Sequence, residues 1–291
     1  MKLSIQTVPA GGDLQNAVFD RLAVAAHQLG HDVARWTNKS RDGISAADVV
    51  IIWNGLYDWV MKLRDEYKGQ RFLFAELGWM PQRPCWQMDP AGPNAMASWA
   101  SDPLPIISRS AARQPGGDLL VVLQDDADTQ IYLKYLSPMF RNMADVLRFL
   151  ADNTDAALRV RDHPAHPCSE EARSVVFGCN HMHWDESPSL EAALGGVAAL
   201  LTINSSCGVW ALARGVPVVS FGRSVWTSVD GACYRIFGEL DPVAAFAKAV
   251  GEIEGGANSL NLVAQQAALG RIMGKQWQPE HLPGRLAWAL R

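Results

Sequence analysis

The sequence predicts an α/β fold built from two doubly wound halves, each a parallel sheet with helices on its faces. Two observations predict it. Apolar strand-like runs alternate with helical ones through the first 77 residues, and the alternation restarts at residue 118 after an irregular stretch. Runs such as ADVVIIWNG are apolar almost throughout, as strands covered on both sides must be. With 291 residues, 48% hydrophobic and 19% charged, the chain is long enough for two such halves.

In chain order, KLSIQTV is the first strand. Gly11, Gly12 and Asp13 turn the chain into a helix from Leu14 to Leu29, with apolar residues at Val18, Leu22, Val24 and Ala25 and a stop at Gly30. HDVARW, ADVVIIWNG and RFLFAEL are the next strands. The segment Gly78–Pro105 carries Pro81, Pro84, Pro90, Pro93 and Pro103 with aromatics between them, the composition of a functional loop. Arg109–Gly117 is the linker candidate. Then come a strand DLLVVLQ, a helix Tyr135–Asn153, strands ALRVRDHP and SVVFGCN, and a helix Ser187–Leu194 capped by Ser187 or Ser189. A strand AALLTIN, a helix Ser206–Arg214 and a strand PVVSFG complete the second sheet. Helices follow over Pro242–Ile253, Leu260–Met273 and Leu282–Leu290. The domains are therefore drawn as 1–112, 118–275, and a terminal helical piece, 276–291, that is free to pack back on the first domain.

Composition narrows the function classes. A net charge of −4 advertises no nucleic-acid or membrane surface. There is no 18-residue apolar run, and MKLSIQTVPAGGD reads as a first strand rather than a signal peptide. Five cysteines without paired spacing (Cys85, Cys168, Cys179, Cys207, Cys233) fit a reducing compartment, so the expected location is cytoplasmic. Trp53, Trp79, Trp86 and Trp99 lie among glycines and prolines and serve either packing or the lining of a cleft.

In doubly wound sheets, ligands bind beyond the carboxyl ends of the strands, and two such domains make a cleft, so the residues just after strands carry the chemistry. Thr202-Ile203-Asn204-Ser205-Ser206-Cys207-Gly208 joins a strand to a helix, where hydroxyls and the helix N-terminus suit a phosphate. Arg161-Asp162-His163-Pro164 ends another strand and presents a histidine able to neutralise or protonate a leaving phosphate, and His166-Pro167 repeats the dipeptide. Gln124-Asp125-Asp126-Ala127-Asp128 follows a third strand and offers carboxylates for general-base or cation chemistry. His181-Met182-His183-Trp184-Asp185 places two histidines on one strand face, yet no third ligand has metal spacing, so it is read as pocket lining and no metal is assigned. On the first half the strand-end candidates for an acceptor side are Gly12, Asp13, Trp53, Asn54, Glu76 and Trp79.

Taken in order, the motifs Q-x-x-x-D, R-x-H-P, T-x-N-S-S-x-G and A-L-x-x-G-x-P-V resemble the capsule-polysaccharide biosynthesis family of bacterial glycosyltransferases, the retaining-type Kdo transferases of capsule linkers, over about Gln124–Gly231. The resemblance implies a GT-B fold, two Rossmann-like domains facing across a cleft, and a metal-independent glycosyltransferase. It implies no cofactor beyond a CMP- or UDP-sugar donor, and a glycan or glycolipid as acceptor. It implies donor-phosphate contacts for His163, Pro164, Ser205 and Ser206, and a catalytic role for Asp126 or Asp128 beside Gln124. Arg161, Asn204, Gly208 and Trp210 complete the expected donor side. Where the family has Gly-x-Glu-Ala-Leu, this chain has Gly208-Val209-Trp210-Ala211-Leu212, and Trp226 stands roughly where the family has tyrosine. Two other readings share the fold: transfer to a modified DNA base, and a sugar-nucleotide epimerase or binding protein.

Overall fold

In the computed structural model, residues 1–9, 12–54, 58–79, 85–92, 97–98, 117–128, 139–256, 260 and 262–291 are described. The expected linker at 109–117 lies outside these apart from Gly117, as do the start of the helix expected from Tyr135 and much of the 78–105 segment. The chain divides into two units: Met1–Asp102 with Met273–Arg291, and Pro103–Ile272.

The first unit runs β1 (Lys2–Gln6), α1 (Asp13–Gln28), β2 (Asp32–Trp36), β3 (Val49–Trp53), α2 (Asp58–Glu66), β4 (Arg71–Leu77) and β5 (Trp86–Asp89). Its sheet has the order β2-β1-β3-β4-β5, parallel except for β5, which runs antiparallel to β4. Strand alternation sends Leu3, Ile5, Val49 and Ile51 to the face covered by α1, and Val50 and Ile52 to the face that also buries Val60 and Leu63 of α2. Helix α1 buries Val18, Phe19, Leu22, Ala25 and Ala26, one helical stripe. It stops at Gly30, whose φ of +76° suits glycine, while the amides of Gly30 and His31 return to the carbonyls of His27 and Ala26.

Residues 273–291 complete this unit. Trp86 and Trp277 exchange two backbone hydrogen bonds (3.1 and 2.6 Å), and Gln276 Oε1 accepts the Trp79 amide at 2.6 Å. The last helix (Leu282–Ala289) buries Leu282, Leu286 and Ala289 in the cluster that holds α1. Each fully buried leucine there contributes about 1.5–3 kcal/mol. Trp36, Trp86, Trp226 and Trp277 are fully buried, so much of the tryptophan content is core packing.

The second unit runs β6 (Leu119–Val122), α3 (Met143–Asn153), β7 (Leu158–Arg161), α4 (Glu170–Gly178), β8 (Met182–Trp184), α5 (Leu190–Ala193), β9 (Ala199–Thr202), α6 (Cys207–Ala213), β10 (Val218–Ser220), β11 (Tyr234–Arg235), α7 (Pro242–Glu254) and all but the last three residues of α8 (Leu262–Lys275). Its sheet is parallel throughout, in the order β11-β10-β9-β6-β7-β8. Side chains of Asn142, Ser169, Ser189 and Asp241 cap α3, α4, α5 and α7, each accepting the amide three residues on.

The strand expected at SVVFGCN is instead most of helix α4. Ser169 caps it, Ala172 and Val176 bury a four-residue spacing, and Phe177 is 79% exposed. The Val175-Val176 pair mimicked a strand, but only tertiary burial distinguishes the two periods in so short a run. The strand that pairs with β7 is the next segment, Met182–Trp184.

Candidate functional site

In the second unit, β6 is the first strand and lies between β7 and β9, so the winding direction reverses beside it. A crevice opens at the carboxyl ends of strands where the order reverses in this way. The three motif loops after β6, β7 and β9 all leave from that edge.

Gln124 spans the reversal. Its side chain is buried, its Oε1 accepts the Asn204 amide at 2.9 Å, and its Nε2 donates to Asn204 Oδ1 at 2.9 Å. Thr202 Oγ1 adds a longer bond to Gln124 Oε1 (3.4 Å), and Asn204 Nδ2 donates to the Arg223 carbonyl at 3.1 Å. Where β6 and β9 part, this side chain pairs the backbone amide that would otherwise be buried unpaired. Gln124 and Asn204 are thus the joint that fixes two loops against each other. The first unit uses the same device: Gln6, buried at the end of β1, accepts the Trp53 amide from β3 at 2.9 Å.

The three aspartates after β6 have different surroundings. Asp126 Oδ1 accepts the Met143 amide at 2.7 Å and so caps the first turn of α3. Burial raises its pKa above the ordinary carboxylate value, and that hydrogen bond only partly offsets it. Asp125 Oδ1 accepts the Ala127 amide at 2.9 Å, and its Oδ2 lies 3.4 Å from His166 Nδ1. Asp128 closes the turn, its amide donating to the Asp125 carbonyl at 2.8 Å.

His163 is half-buried after β7. Its Nδ1 accepts the amides of His166 (3.0 Å) and Ala165 (3.3 Å), a turn that Pro164 helps to set. Burial lowers its pKa, and the nearby His166 lowers it further against the opposing pull of Asp125, Asp162 and Asp128. A neutral ring whose Nδ1 accepts two N–H groups must carry its proton on Nε2. Nε2 of His163 is therefore a hydrogen-bond donor, which narrows the acid–base role expected of it.

Arg161 does not stand free beside it. Its guanidinium is paired with Asp185 and donates to the Ser187 carbonyl at 3.0 Å. The Asp185 side chain is fully buried and also lies 3.6 Å from Arg159, and its Oδ1 accepts the Ser187 hydroxyl at 2.7 Å. Burial alone would raise the Asp185 pKa, but hydrogen bonds from Ser187 and Arg161, with the Arg161 charge, outweigh it and hold the carboxyl below its ordinary value. The 181–185 segment thus anchors the β7 loop from behind through Asp185, while His183 faces Asp118 at 3.6 Å and His181 lies beside Cys179.

After β9, Ser205 Oγ accepts the Cys207 amide at 3.3 Å, which leaves its own hydrogen for donation. The Gly208 and Val209 amides return to the carbonyls of Ser205 and Ser206. The Cys207, Gly208 and Val209 amides at the start of α6 are therefore used within the loop. Gly208 has a packing reason: a Cβ there would lie 2.5 Å from the buried Trp226 ring. Gly208→Ala is expected to push Trp226 aside and cost about 1–3 kcal/mol, measurable by chemical denaturation with tryptophan emission as the probe. Trp210 is half-buried, with the Arg214 guanidinium 5.4 Å from its ring centroid.

In the first unit, the acceptor-side candidates separate. Asn54 has a positive φ of 51°, and its side chain donates to Glu76 Oε2 at 3.1 Å, joining the ends of β3 and β4. Trp53 is half-buried with its ring edge-on to Phe19, and Asp13 is exposed in the first turn of α1. Gly12 is a close-packing position, since a Cβ would lie 2.4 Å from Val8. Trp79 is 3% exposed, so it is packed inside rather than presented. The contacts Asp185–Arg161, Asp125–His166 and Trp226–Gly208 were not foreseen from sequence. Only the repeated His-Pro hinted at one of them.

Residues 97–232 match the capsule polysaccharide biosynthesis protein family. The resemblance carried by the strand-end motifs is thereby shown. No curated protein matches the sequence. Two solved structures of KpsC from Thermosulfurimonas dismutans are similar to the chain. The beta Kdo 2,7 transferase matches at 14% identity over 100% of both chains, with a TM-score of 0.60. The beta Kdo 2,4 transferase matches at 15% identity over 98% of both, with a TM-score of 0.52. At such identities the likeness is one of fold. The fold is of the GT-B class, two Rossmann-like α/β domains. Among its described residues, no helix is long and apolar enough to cross a membrane.

Proposed function

We propose that this protein is a cytoplasmic, metal-independent glycosyltransferase that moves a sugar from a CMP- or UDP-sugar to a glycan or glycolipid acceptor. The observation that carries this is the joining of the three motif loops at the strand reversal of the second unit, with Gln124 hydrogen-bonded to Asn204 and Asp125 beside His166. Transfer breaks the bond between the anomeric carbon and a phosphate oxygen, and the bond electrons stay with the phosphate. His163 Nε2–H and the hydroxyls of Ser205 and Ser206 are suited to receive that charge as preorganised donors. The acceptor oxygen forms the new bond to the anomeric carbon, and a carboxylate takes its proton. Asp126 or Asp128, both on the loop after β6, is assigned that task. Trp210 replaces a glutamate by a group that cannot accept hydrogen bonds, so the nucleoside is to be held by stacking rather than through its hydroxyls.

A thermal-shift screen against CMP, UDP, GDP and dTDP tests the donor. At 100 times its Kd, a bound nucleotide adds about 2.7 kcal/mol and raises Tm accordingly. CMP or UDP is expected to do so. If no nucleotide raises Tm or binds in calorimetry, the donor reading fails. Release of free nucleotide only when an acceptor is present separates transfer from epimerisation.

A further inference from the structure

The sequence His163-Pro164-Ala165-His166-Pro167 places two histidines three residues apart. The second donates its backbone N–H to Nδ1 of the first at 3.0 Å. Its ring lies over the His163 ring, with centroids 5.1 Å apart and planes inclined by 35°. The other edge of His166 faces the loop after β6, with Nδ1 3.4 Å from Asp125 Oδ2. Asp125 is itself held, since its Oδ1 accepts the Ala127 amide at 2.9 Å. A chain of contacts therefore runs from one strand-end loop, through His166, to the imidazole on the next.

We propose that Asp125 and His166 are a positioning pair that keeps His163 in its Nε2–H form. The turn that brings the Ala165 and His166 amides onto Nδ1 is short and exposed. It stays closed only if His166 is anchored, and Asp125 supplies the anchor. With Nδ1 occupied, the single proton of the neutral ring sits on Nε2 and the ring cannot exchange tautomers. Asp125 is accordingly an orienting carboxylate and not the base of the reaction. The value of this arrangement for transfer rests on the reading of His163 as a phosphate donor, whereas the tautomer itself does not.

The test is the nitrogen-15 spectrum of the histidines in the full chain at pH 8, where the ring is neutral, with His163 assigned by its loss in His163→Gln. The wild-type protein is expected to show a protonated Nε2 and a bare Nδ1. In His166→Ala and in Asp125→Asn both signals move toward the averaged tautomers. His166→Gln keeps a side-chain N–H for Asp125 and retains the wild-type pattern. CMP or UDP affinity, measured by calorimetry, drops about tenfold in His166→Ala and recovers in His166→Gln. A His163 spectrum unchanged in both His166→Ala and Asp125→Asn overturns the proposal. If neither nucleotide binds even the wild-type protein, the donor-phosphate reading falls, and the spectrum still decides this one.

Discussion

His163→Ala is expected to lower sugar transfer by about 10²–10³-fold with little change in stability, the cost of removing one preorganised donor to a developing oxyanion. The stronger test is His163→Gln. A glutamine amide can place an N–H near the position of Nε2 but cannot exchange a proton. If His163 works only as a donor, as its doubly occupied Nδ1 requires, the glutamine variant recovers much of the lost rate. If it works as an acid or base, glutamine is as poor as alanine. The pH profile gives an independent check. Burial lowers the His163 pKa, so the neutral ring persists below the ordinary value of about 6.5. Activity is then level from pH 8 down past about 6.5 and falls only as Nδ1 gains a proton and can no longer accept the Ala165 and His166 amides that hold the ring in place. The same group stabilises the fold above its unfolded pKa and loses that contribution as pH falls through the folded one.

Asp185→Asn is expected to destabilise the second unit by about 3–5 kcal/mol, because it leaves Arg161 and Arg159 facing a buried group with no charge. In a unit of this size that corresponds to a fall in Tm of roughly 6–20 °C. Calorimetry or urea denaturation reads it directly, and a loss within 1 kcal/mol would show the pair to be incidental. The folded Asp185 pKa lies below its ordinary value. Its stabilisation is therefore complete above the unfolded pKa of about 3.9 and is lost as pH falls through the lower folded value. The wild-type protein should show this as acid unfolding that the variant lacks. Nucleotide affinity should weaken as well, since Asp185 fixes the arginine one residue pair before His163.

Much of the fold could be read from sequence because its signals are local. The stop at Gly30, the cap by Ser189 and the apolar runs at Val49–Trp53 and Leu119–Val122 depend on residues within a turn or a pleat of one another. The misread SVVFGCN marks the limit, since a short apolar run fits either period until something packs against it. Strand β5 escaped notice for a related reason: Trp86–Asp89 is a strand because it pairs with β4 and Trp277, not because of its own pattern.

The same division runs through the site. His163, Ser205, Ser206 and the Gln124 loop could be placed at strand ends from sequence, because position after a strand is a local property. Their partners could not. Gln124 meets Asn204 across 80 residues, Arg161 meets Asp185 across 24, and Trp79 meets Gln276 across 197. By itself the sequence determined the two-domain α/β class, the family resemblance and the residues at the strand ends. Tertiary structure decided which of those residues face solvent chemistry and which are joints: Arg161 tied to Asp185, Asp126 to α3, Trp79 into the core, and His163 held by its Nδ1. The reason is that strand order, which brings distant segments side by side, is set by how faces bury together, and no local pattern records it.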